Sequence, residues 1–398
     1  MSKNYPTIGD YNLQIQAEGG NAFNSLYGII FTPSRSTPIK VYLFGSGAFA
    51  AVFKGFYNGK NYAIRCFLSV EDETMYRHKL ICDYLKEVNA SWKTDSEFIE
   101  YEILVNGNSF PILKMEWLNG LLINQFVTKN LSDNNVLTEL QKKLVTVSKD
   151  LEYFEIGHGD LQCGNIIIIG TSSNFQVKLI DYDGMYVPAL INRNSIEKGR
   201  SEFQHPKRSK FNFSPEMDRF SIWVMITALE ALKIDKTLWR EVMQGGFNTL
   251  DNFLFTIQDF VNPNQSILFK RLFSLKSTSL NFYLERLKMI CYSDYSAIPP
   301  PSLYFKSFNL DKSNIENHEI ISTESKTIER TVSDNKYKII STNGIAFVRS
   351  STFQNLGSTP LELDKTLYSG KLILVSNGRE TKQITLTSLQ NLIEVEFD

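Results

Sequence analysis

The amino-acid sequence predicts an α+β fold, with a β-rich first part, a mainly helical second part and a small all-β end. Three observations support this prediction. Residues 27–67 consist of short apolar runs broken by Gly, Pro and Ser, apolar residues recur at helical spacing after Gly120, and short strand-like runs return from about Lys336. The changes of periodicity along the chain predict folded parts that differ in secondary structure.

The composition excludes a disordered or fibrous chain. Of 398 residues, 42% are hydrophobic and 13% are aromatic, which is enough to bury more than one core, and the length favours two or three domains. The 42 Lys and Arg residues nearly balance the 43 Asp and Glu residues, which gives a net charge of −1. Because this balance provides no global attraction to phosphate backbones, nucleic acid is not an expected partner.

The cysteines and the N-terminus favour a soluble, cytoplasmic protein. Cys66, Cys82, Cys163 and Cys291 form no C-x-x-C pair and no zinc-binding pattern with the four histidines. Residues 1–6 lack the features of a signal peptide, and no segment approaches the ~20 apolar residues that span a bilayer. We therefore expect no membrane span. The sequence does not indicate the oligomeric state.

The first part is predicted to be a sheet interrupted by one helix. Residues 1–40 form an extension that we expect to be partly β, and strand-like runs continue from there to Phe67. Apolar residues at helical spacing predict a helix from Asp72 to Val88, and further strands lead to Leu113–Trp117.

The second part is predicted to be mainly helical. We expect helices at Leu137–Phe154, Met217–Leu232, Lys236–Met243 and Leu280–Cys291, with two short strands around a polar turn within Asn165–Ile180. Three consecutive prolines, 299–301, cannot continue a helix and mark the end of this domain, which we place at residue 305.

The end of the chain is predicted to be a linker followed by a β-domain. Residues 306–335 are polar, with few aromatic side chains, and are typical of a linker. Residues 336–398 form the β-domain, where Asn377 and Gly378 predict a hairpin turn. Its expected strands are Lys336–Ile340, Ile345–Val348, Lys371–Val375 and Gln383–Leu386.

Four segments carry residue types suited to phosphate chemistry, in a fixed order along the chain. They are Gly45–Val52 (GSGAFAAV), Tyr62–Arg65 (YAIR), His158–Asn165 (HGDLQCGN) and Val177–Gly184 (VKLIDYDG). The first fits G-x-G-x-x-G-x-V with Ala50 at the third glycine, although a plain hairpin turn is the simpler interpretation of that segment alone. The spacing of Asp160 and Asn165 in the third segment, followed by Asp181, is the most specific signal.

Together these segments resemble a protein kinase, and in detail a bacterial group of eukaryotic-like kinases with H-G-D-L-Q-x-G-N and D-Y-D-G-M motifs. The resemblance implies a two-lobed kinase fold over residues 41–305, with a β-rich N-lobe (41–118) and a helical C-lobe (119–305). It also implies ATP and Mg²⁺ as cofactors. The segment Arg65-Cys66-Phe67 is familiar in this group.

The resemblance implies a role for each matched residue. Asp160 orients or deprotonates the acceptor hydroxyl, Asn165 and Asp181 bind Mg²⁺, and Arg65 steadies the phosphates. Asp218 supports the catalytic loop by hydrogen bonds. The remaining nucleotide-site candidates are Gly45, Ser46, Gly47, Ala48, Val52, Ala63, Met115 as gatekeeper, and Glu116 and Leu118, whose backbone groups face adenine.

The acidic partner of Arg65 is left open by the sequence. In a kinase the corresponding lysine is paired with a glutamate of the following helix. The acids available there are Asp72, Glu73, Asp83 and Glu87, of which Asp83 has about the right separation from Arg65. A surface ion pair at the end of a strand is the alternative interpretation of Arg65.

Several departures from the kinase pattern keep the function open. Arg65 replaces the usual lysine, Gly159 replaces an arginine, Gln162 replaces a lysine, and His205-Pro206-Lys207 lacks the glutamate of A-P-E. We expect a Ser/Thr protein kinase. The alternatives are a pseudokinase scaffold and a small-molecule kinase, since the latter shares the H-G-D motif.

The predicted β-domain resembles a PEGA-like module. Gly357–Leu361 and Tyr368–Val375 match its short G-x-T-P and P-G-x-x-x-[VIL]-x-V signature in part. The resemblance implies surface or protein contacts, and a simple β-sandwich cap is the alternative. The expected partners of the chain are therefore a protein substrate or a regulatory protein.

Overall fold

The computed structural model describes most of the chain in two compact units, Met1–Leu284 and Glu285–Asp398. The described residues are 5–34, 40–47, 49–249, 251–305, 336–341, 347–350, 355–359, 361–369, 371–376, 381–387 and 392–396. The predicted linker, the predicted turn at Asn377 and Gly378, and Ala48 of the glycine-containing segment lie outside these residues. Two of the residues predicted for the second tail strand, 345 and 346, also lie outside them.

An antiparallel sheet forms the β-rich region of the first unit. Its strands are β1 (Ile30–Phe31), β2 (Leu43–Ser46), β3 (Ala50–Tyr57), β4 (Lys60–Phe67), β5 (Ser96–Val105) and β6 (Asn108–Glu116). The strand order is β1-β3-β4-β6-β5, and β2 also pairs with β3. The predicted β-rich start of the chain is confirmed.

The N-terminal extension packs against this sheet as a helix that the sequence did not predict. It contains α1 (Ile8–Glu18), a 3₁₀ turn (Gly19–Ala22) and β1. Tyr11 and Ile15 are buried in the same core as Ile64 and Cys66 of β4. Because side chains alternate along a strand, Arg65 points to the opposite face of the sheet. The extension therefore helps to separate a closed apolar face from the face that carries Arg65.

A helix interrupts the run of strands between β4 and β5, as predicted. Helix α2 (Asp72–Glu87) begins at the predicted residue and ends one residue early. Cys82 of this helix packs with Phe67 and Leu113 of the sheet. His78 is also buried, at 3% exposure. The helix thus contributes both an apolar contact and an imidazole to the interior of the first unit.

The helical region follows the sheet. Its elements are β7 (Leu121–Leu122), α3 (Ile123–Lys129), α4 (Asn134–Tyr153), β8 (Ile166–Thr171), β9 (Asn174–Leu179), α5 (Arg219–Ile234), α6 (Ile257–Val261), α7 (Ile267–Ser274) and α8 (Thr278–Tyr292). Three of the predicted helices correspond to α4, α5 and α8, and the predicted strand pair corresponds to β8 and β9. Every residue of α5 from 219 to 232 is buried, so this helix is the core of the region.

The predicted helix Lys236–Met243 is wrong. The structure has two 3₁₀ turns there, Lys236–Trp239 and Val242–Gln244. The side chain of Asp235 caps the first turn by accepting a hydrogen bond from the backbone of Thr237 at 3.0 Å, and Arg240 is extended with ψ 155°. The extended residue ends the first turn directly after Trp239, which is buried against Phe253.

The end of the chain is all-β, as predicted, apart from a short helix, Lys365–Tyr368. Its strands are β10 (Lys336–Ser341), β11 (Phe347–Ser350), β12 (Asn355–Ser358), β13 (Leu361–Asp364), β14 (Leu372–Ser376), β15 (Thr381–Thr385) and β16 (Leu392–Val395). They form one sheet of order β13-β10-β16 and another of order β12-β11-β14-β15. Tyr337 and Ile339 of the first sheet share a core with Val348 and Ile373 of the second. The two sheets therefore form a small sandwich, in which β12, β13 and β16 were not predicted.

Within the described ranges, no helix is long and apolar enough to cross a bilayer.

Candidate active site

Two loops of the helical region are joined by backbone hydrogen bonds. The first loop, His158–Asn165, follows α4, and the second, Asp181–Gly184, follows β9. The backbone N–H of Ile180 donates to the carbonyl oxygen of Asn165 at 3.0 Å, and the His158 ring nitrogen Nε2 lies 2.9 Å from the carbonyl oxygen of Ile180. These contacts bring the sequence-predicted residues Asp160, Asn165 and Asp181 to one place.

The carboxylate of Asp160 is oriented by hydrogen bonds to both oxygens. The backbone N–H of Arg200 donates to Oδ1 at 2.8 Å. The amide nitrogens of Asn165 and Gln162 donate to Oδ2 at 3.0 and 3.4 Å. Gln162, at the position where the kinase pattern has lysine, thus contacts the proposed base directly. Three donors fix the direction of a carboxylate that is well placed to accept a proton.

Asp218 supports the first loop by hydrogen bonds to its backbone. Its side chain is 2% exposed and accepts hydrogen bonds from the backbone of His158 at 2.5 Å and of Gly159 at 2.9 Å. Burial raises the pKa of Asp218, although His158, Arg208 and these hydrogen bonds oppose the shift. The predicted supporting role of Asp218 is confirmed.

Gly159 is required by the shape of the loop. Its φ is +85°, a conformation that favours glycine, and a Cβ placed there would lie 2.6 Å from the carbonyl oxygen of Gly184. An arginine cannot occupy this position without moving the second loop. Buried Arg208, which the sequence did not single out, donates instead to the carbonyl oxygen of Gly159 at 2.7 Å.

Arg65 forms ion pairs with the second loop. Its guanidinium Nη1 and Nη2 donate to Oδ1 and Oδ2 of Asp183 at 2.6 and 2.5 Å, and Nη1 also donates to Oδ1 of Asp181 at 3.0 Å. Both side chains of the Arg65–Asp183 pair are 21% exposed. Arg65 is therefore a partly buried link between the sheet and the loops, rather than part of a solvated surface pair.

The acidic partner of Arg65, which the sequence leaves open among the acids of α2, lies in the second loop instead. Glu73 pairs with Arg77 and Arg193, and Asp83 pairs with Lys86 at 2.8 Å. In the described part of the chain, none of the four α2 acids pairs with Arg65. The separation of Arg65 and Asp83 along the sequence fits the kinase pattern, but it does not determine which side chain the folded helix turns toward the arginine.

Asp181 is held in an uncommon backbone conformation. Its φ is +64°, in the left-handed region. The next residue, Tyr182, is buried, donates through its hydroxyl to the carbonyl oxygen of Leu179 at 2.8 Å, and accepts from the backbone of Thr94 at 2.8 Å. Such strained residues concentrate at functional sites, where the surrounding structure holds them. The buried tyrosine is the anchor that keeps Asp181 turned into the site.

The site is electronegative. Burial and the charge of Asp183 raise the pKa of Asp181. Burial also acts to raise the pKa of Asp183, but Arg65, His78 and the hydrogen bonds to Arg65 and Asp181 together lower it. The Glu197 carboxyl lies over Gly184. Burial of that carboxyl and the charges of Asp160, Asp181 and Asp183 raise the pKa of Glu197 to about 7. Glu197, which the sequence analysis missed, adds a fourth acidic side chain to the negative charge of this site.

The predicted nucleotide-site residues of the sheet share one face. Val52 lies opposite Arg65 in the β3–β4 pair, and Ala63 lies opposite Met115 in the β4–β6 pair. Directly paired residues, and residues two apart on a strand, point to the same side of a sheet. These four side chains therefore line the face of the sheet opposite the α1 core.

The glycine-containing segment forms the turn between β2 and β3. Gly45 and Ser46 lie in β2, and the backbone N–H of Gly47 donates to the carbonyl oxygen of Ala50 at 2.9 Å. A Cβ built on Gly45 or Gly47 would meet no atom within 4 Å. The backbone at Gly45 and Gly47 consequently borders open space, as phosphate binding by a loop requires.

In the segment that joins the sheet to the helical region, two backbone N–H groups already form hydrogen bonds within the chain. The backbone N–H of Glu116 donates to the carbonyl oxygen of Asp95 at 2.9 Å, and that of Trp117 donates to Asn61 at 2.9 Å. The N–H of Glu116 is thus already used. For adenine, the carbonyl oxygen of Glu116 and the backbone of Leu118 remain the candidate contacts.

The donor set fits Mg²⁺ in the presence of phosphates. The amide nitrogen of Asn165 donates to the carbonyl oxygen of Asp160 at 2.9 Å and to its Oδ2, so Oδ1 of Asn165 is the atom left as a metal ligand. Asp181 would supply a carboxylate oxygen. No three His, Cys, Asp or Glu side chains of the described residues are grouped to hold a metal by themselves. Mg²⁺ is commonly bound by one or two carboxylates together with substrate phosphates, and this site has that character.

Comparison with known proteins adds no relative: no family model matches the chain, and no curated protein gives a significant match.

Cys163 lies within the first loop, and we expect it to be unreactive in the folded protein. It is 3% exposed, and its thiol donates to the carbonyl oxygen of Asn252 at 3.6 Å. Burial raises the pKa of Cys163 to about 12, so almost no thiolate is present at pH 8. Mass spectrometry after iodoacetamide treatment should show Cys163 modified only in denaturant. Complete labelling of the native protein would contradict this packing.

Proposed function

We propose that the protein is an ATP- and Mg²⁺-dependent phosphotransferase, and specifically a serine/threonine protein kinase of bacterial type. One observation carries the proposal. Arg65 on the sheet lies 3.0 Å from Asp181, and Asp181 stands beside the loop of Asp160 and Asn165. A cation for phosphates, two oxygen ligands for a metal and a base are therefore close neighbours in the folded chain.

Each residue has a defined part in the proposed transfer. Oδ2 and Oδ1 of Asp160 are fixed by Asn165 and Arg200, so the carboxylate can accept the proton of an acceptor hydroxyl as its oxygen attacks the γ-phosphorus. The bond from that phosphorus to the bridging oxygen of ATP breaks, and ADP leaves. Mg²⁺, when bound, neutralises phosphate charge. Arg65 contributes a permanent positive charge beside the transferred phosphate.

A pseudokinase scaffold is the second candidate. The observation that favours it is the engagement of Arg65 by two carboxylates of its own chain, which a nucleotide phosphate would have to share. In that case the β-sandwich at the end of the chain would provide the functional surface, with a regulatory protein as its partner. Retention of Asp160, Asn165 and Asp181 together favours the active enzyme.

Thermal unfolding with and without ATP and Mg²⁺ distinguishes these candidates. A ligand that binds only the folded protein raises its unfolding temperature. We expect a metal-dependent increase for the parent protein and a much smaller one for Asp181→Asn. A parent protein that does not respond to saturating ATP and Mg²⁺ would rule out the kinase proposal and favour the scaffold. A positive result justifies a search for the phosphoacceptor with Ser- and Thr-containing peptides.

A further inference from the structure

We propose that Asp183 is the positioning residue that holds Arg65 in the phosphate site, in place of an acid from α2. This inference rests on the proposed function. It assigns to the second loop, which also carries Asp181, a task that the kinase pattern gives to a helix of the β-rich region. Neither the motif spacing nor the α2 sequence indicates it.

The geometry of the ion pair supports the assignment. Two parallel N–H···O bonds, at 2.6 and 2.5 Å, join the guanidinium of Arg65 to the carboxylate of Asp183. A bidentate, partly buried pair of this kind fixes both the position and the plane of the guanidinium. A lysine would make only a point contact with the same carboxylate. Arginine thus fits this position better than lysine, because its guanidinium can bond both carboxylate oxygens of Asp183.

Arg65 is held less firmly by Asp181 than by Asp183. Only Nη1 reaches Asp181, at 3.0 Å, and that nitrogen is shared with Asp183. If Asp181 turns to a metal, Arg65 loses one hydrogen bond and keeps the two to Asp183. Asp181 can therefore bind a metal while Asp183 keeps the guanidinium of Arg65 in place.

His78 supports Asp183 from the side of α2. Its ring is buried between Phe67 and Phe98, with ring centroids 5.3 and 5.8 Å away. Among the described residues, its Nε2 has no hydrogen-bond partner, and it lies 3.9 Å from Oδ1 of Asp183. A rigid imidazole at this distance limits rotation of the carboxylate away from Arg65. Helix α2 thus acts on the site through packing of His78 rather than through an ion pair to Arg65.

The test compares Asp183→Asn with Asp83→Asn in the full chain. Both variants change one aspartate to its amide, but Asp83 is on the exposed side of α2 and pairs with Lys86. We expect Asp183→Asn to weaken ATP·Mg²⁺ binding about tenfold by calorimetry, with a similar rise in KM for ATP and a smaller change in kcat. Asp83→Asn should bind as the parent does. Asp183→Glu, which keeps the charge, should recover part of the loss.

A double-mutant cycle without nucleotide provides an independent readout. We expect Arg65→Gln and Asp183→Asn to be strongly non-additive in urea unfolding, whereas Arg65→Gln and Asp83→Asn should add. Circular dichroism verifies that each variant folds, and Asp183→Glu serves for the comparison if Asp183→Asn does not.

The possible failures are distinguishable. If the parent binds ATP·Mg²⁺ but Asp183→Asn behaves as Asp83→Asn does, the assignment of Asp183 is wrong and the proposed function stands. Additive unfolding effects of Arg65→Gln and Asp183→Asn would likewise overturn the assignment alone. If the parent itself does not bind ATP·Mg²⁺, the proposed function fails, and the positioning role fails with it.

Discussion

Substituting asparagine for Asp181 should lower phosphotransferase turnover by several orders of magnitude and leave the fold intact. The amide has no charge to offer Mg²⁺, so a bound metal would lose the carboxylate ligand that Asp181 would supply. The fold should persist because Arg65 keeps its two hydrogen bonds to Asp183. The substitution also removes a charge that is unfavourable beside Asp183, as the raised pKa of Asp181 indicates. Steady-state kcat and a thermal melt measure the two effects.

The matched control for this prediction is again Asp83→Asn, which removes an exposed carboxylate far along α2. It should keep the turnover of the parent. If Asp181→Asn turns over as fast as the parent protein, Asp181 is not a metal ligand, even if ATP still binds. A large fall in unfolding temperature would show that Asp181 is needed for the fold, and kcat could then not be assigned to metal binding.

The grouping of Asp160, Asn165 and Asp181 was predictable because these residues are close in sequence. Asp160 and Asn165 are five residues apart, and Asp181 follows one short strand pair later, so local folding almost suffices to bring them together. The partner of Arg65 was not predictable in this way. Asp183 is 118 residues from Arg65, and their contact depends on how the sheet packs on the loops, whereas the nearby α2 acids were plausible on spacing alone.

The elements that sequence analysis missed depend on tertiary contacts. Helix α1 is 11 residues long and buries only Tyr11 and Ile15, too few for a clear helical pattern. Its start does carry a capping signal, Thr7 followed by Asp10. The 3₁₀ turns at 236–244 have the apolar residues of a helix, but capping by Asp235 and burial of Trp239 decide their geometry.

Substituting alanine for Gly159 should have the largest effect on stability. The residue has φ +85°, and a Cβ would lie 2.6 Å from the carbonyl oxygen of Gly184 and 3.0 Å from Cε of Met217. The left-handed backbone and the overpacking together should lower the free energy of unfolding by about 2–4 kcal/mol. Because Asp160 is the next residue, the loop cannot relax without moving the proposed base. Turnover should fall as well, and urea unfolding measures the loss of stability.

Gly45→Ala is the control for this substitution. Gly45 has no positive φ, and a Cβ there would meet no atom within 4 Å, so its effect on the free energy of unfolding should stay within about 0.5 kcal/mol. Gly159→Arg would restore the arginine of the kinase pattern, yet it should destabilise the protein at least as much as Gly159→Ala, since every side chain begins with the same Cβ. A stable Gly159→Arg variant would show that the first loop is not packed against Gly184. In that case, the packing of the two loops would not explain why this chain has glycine rather than arginine at position 159.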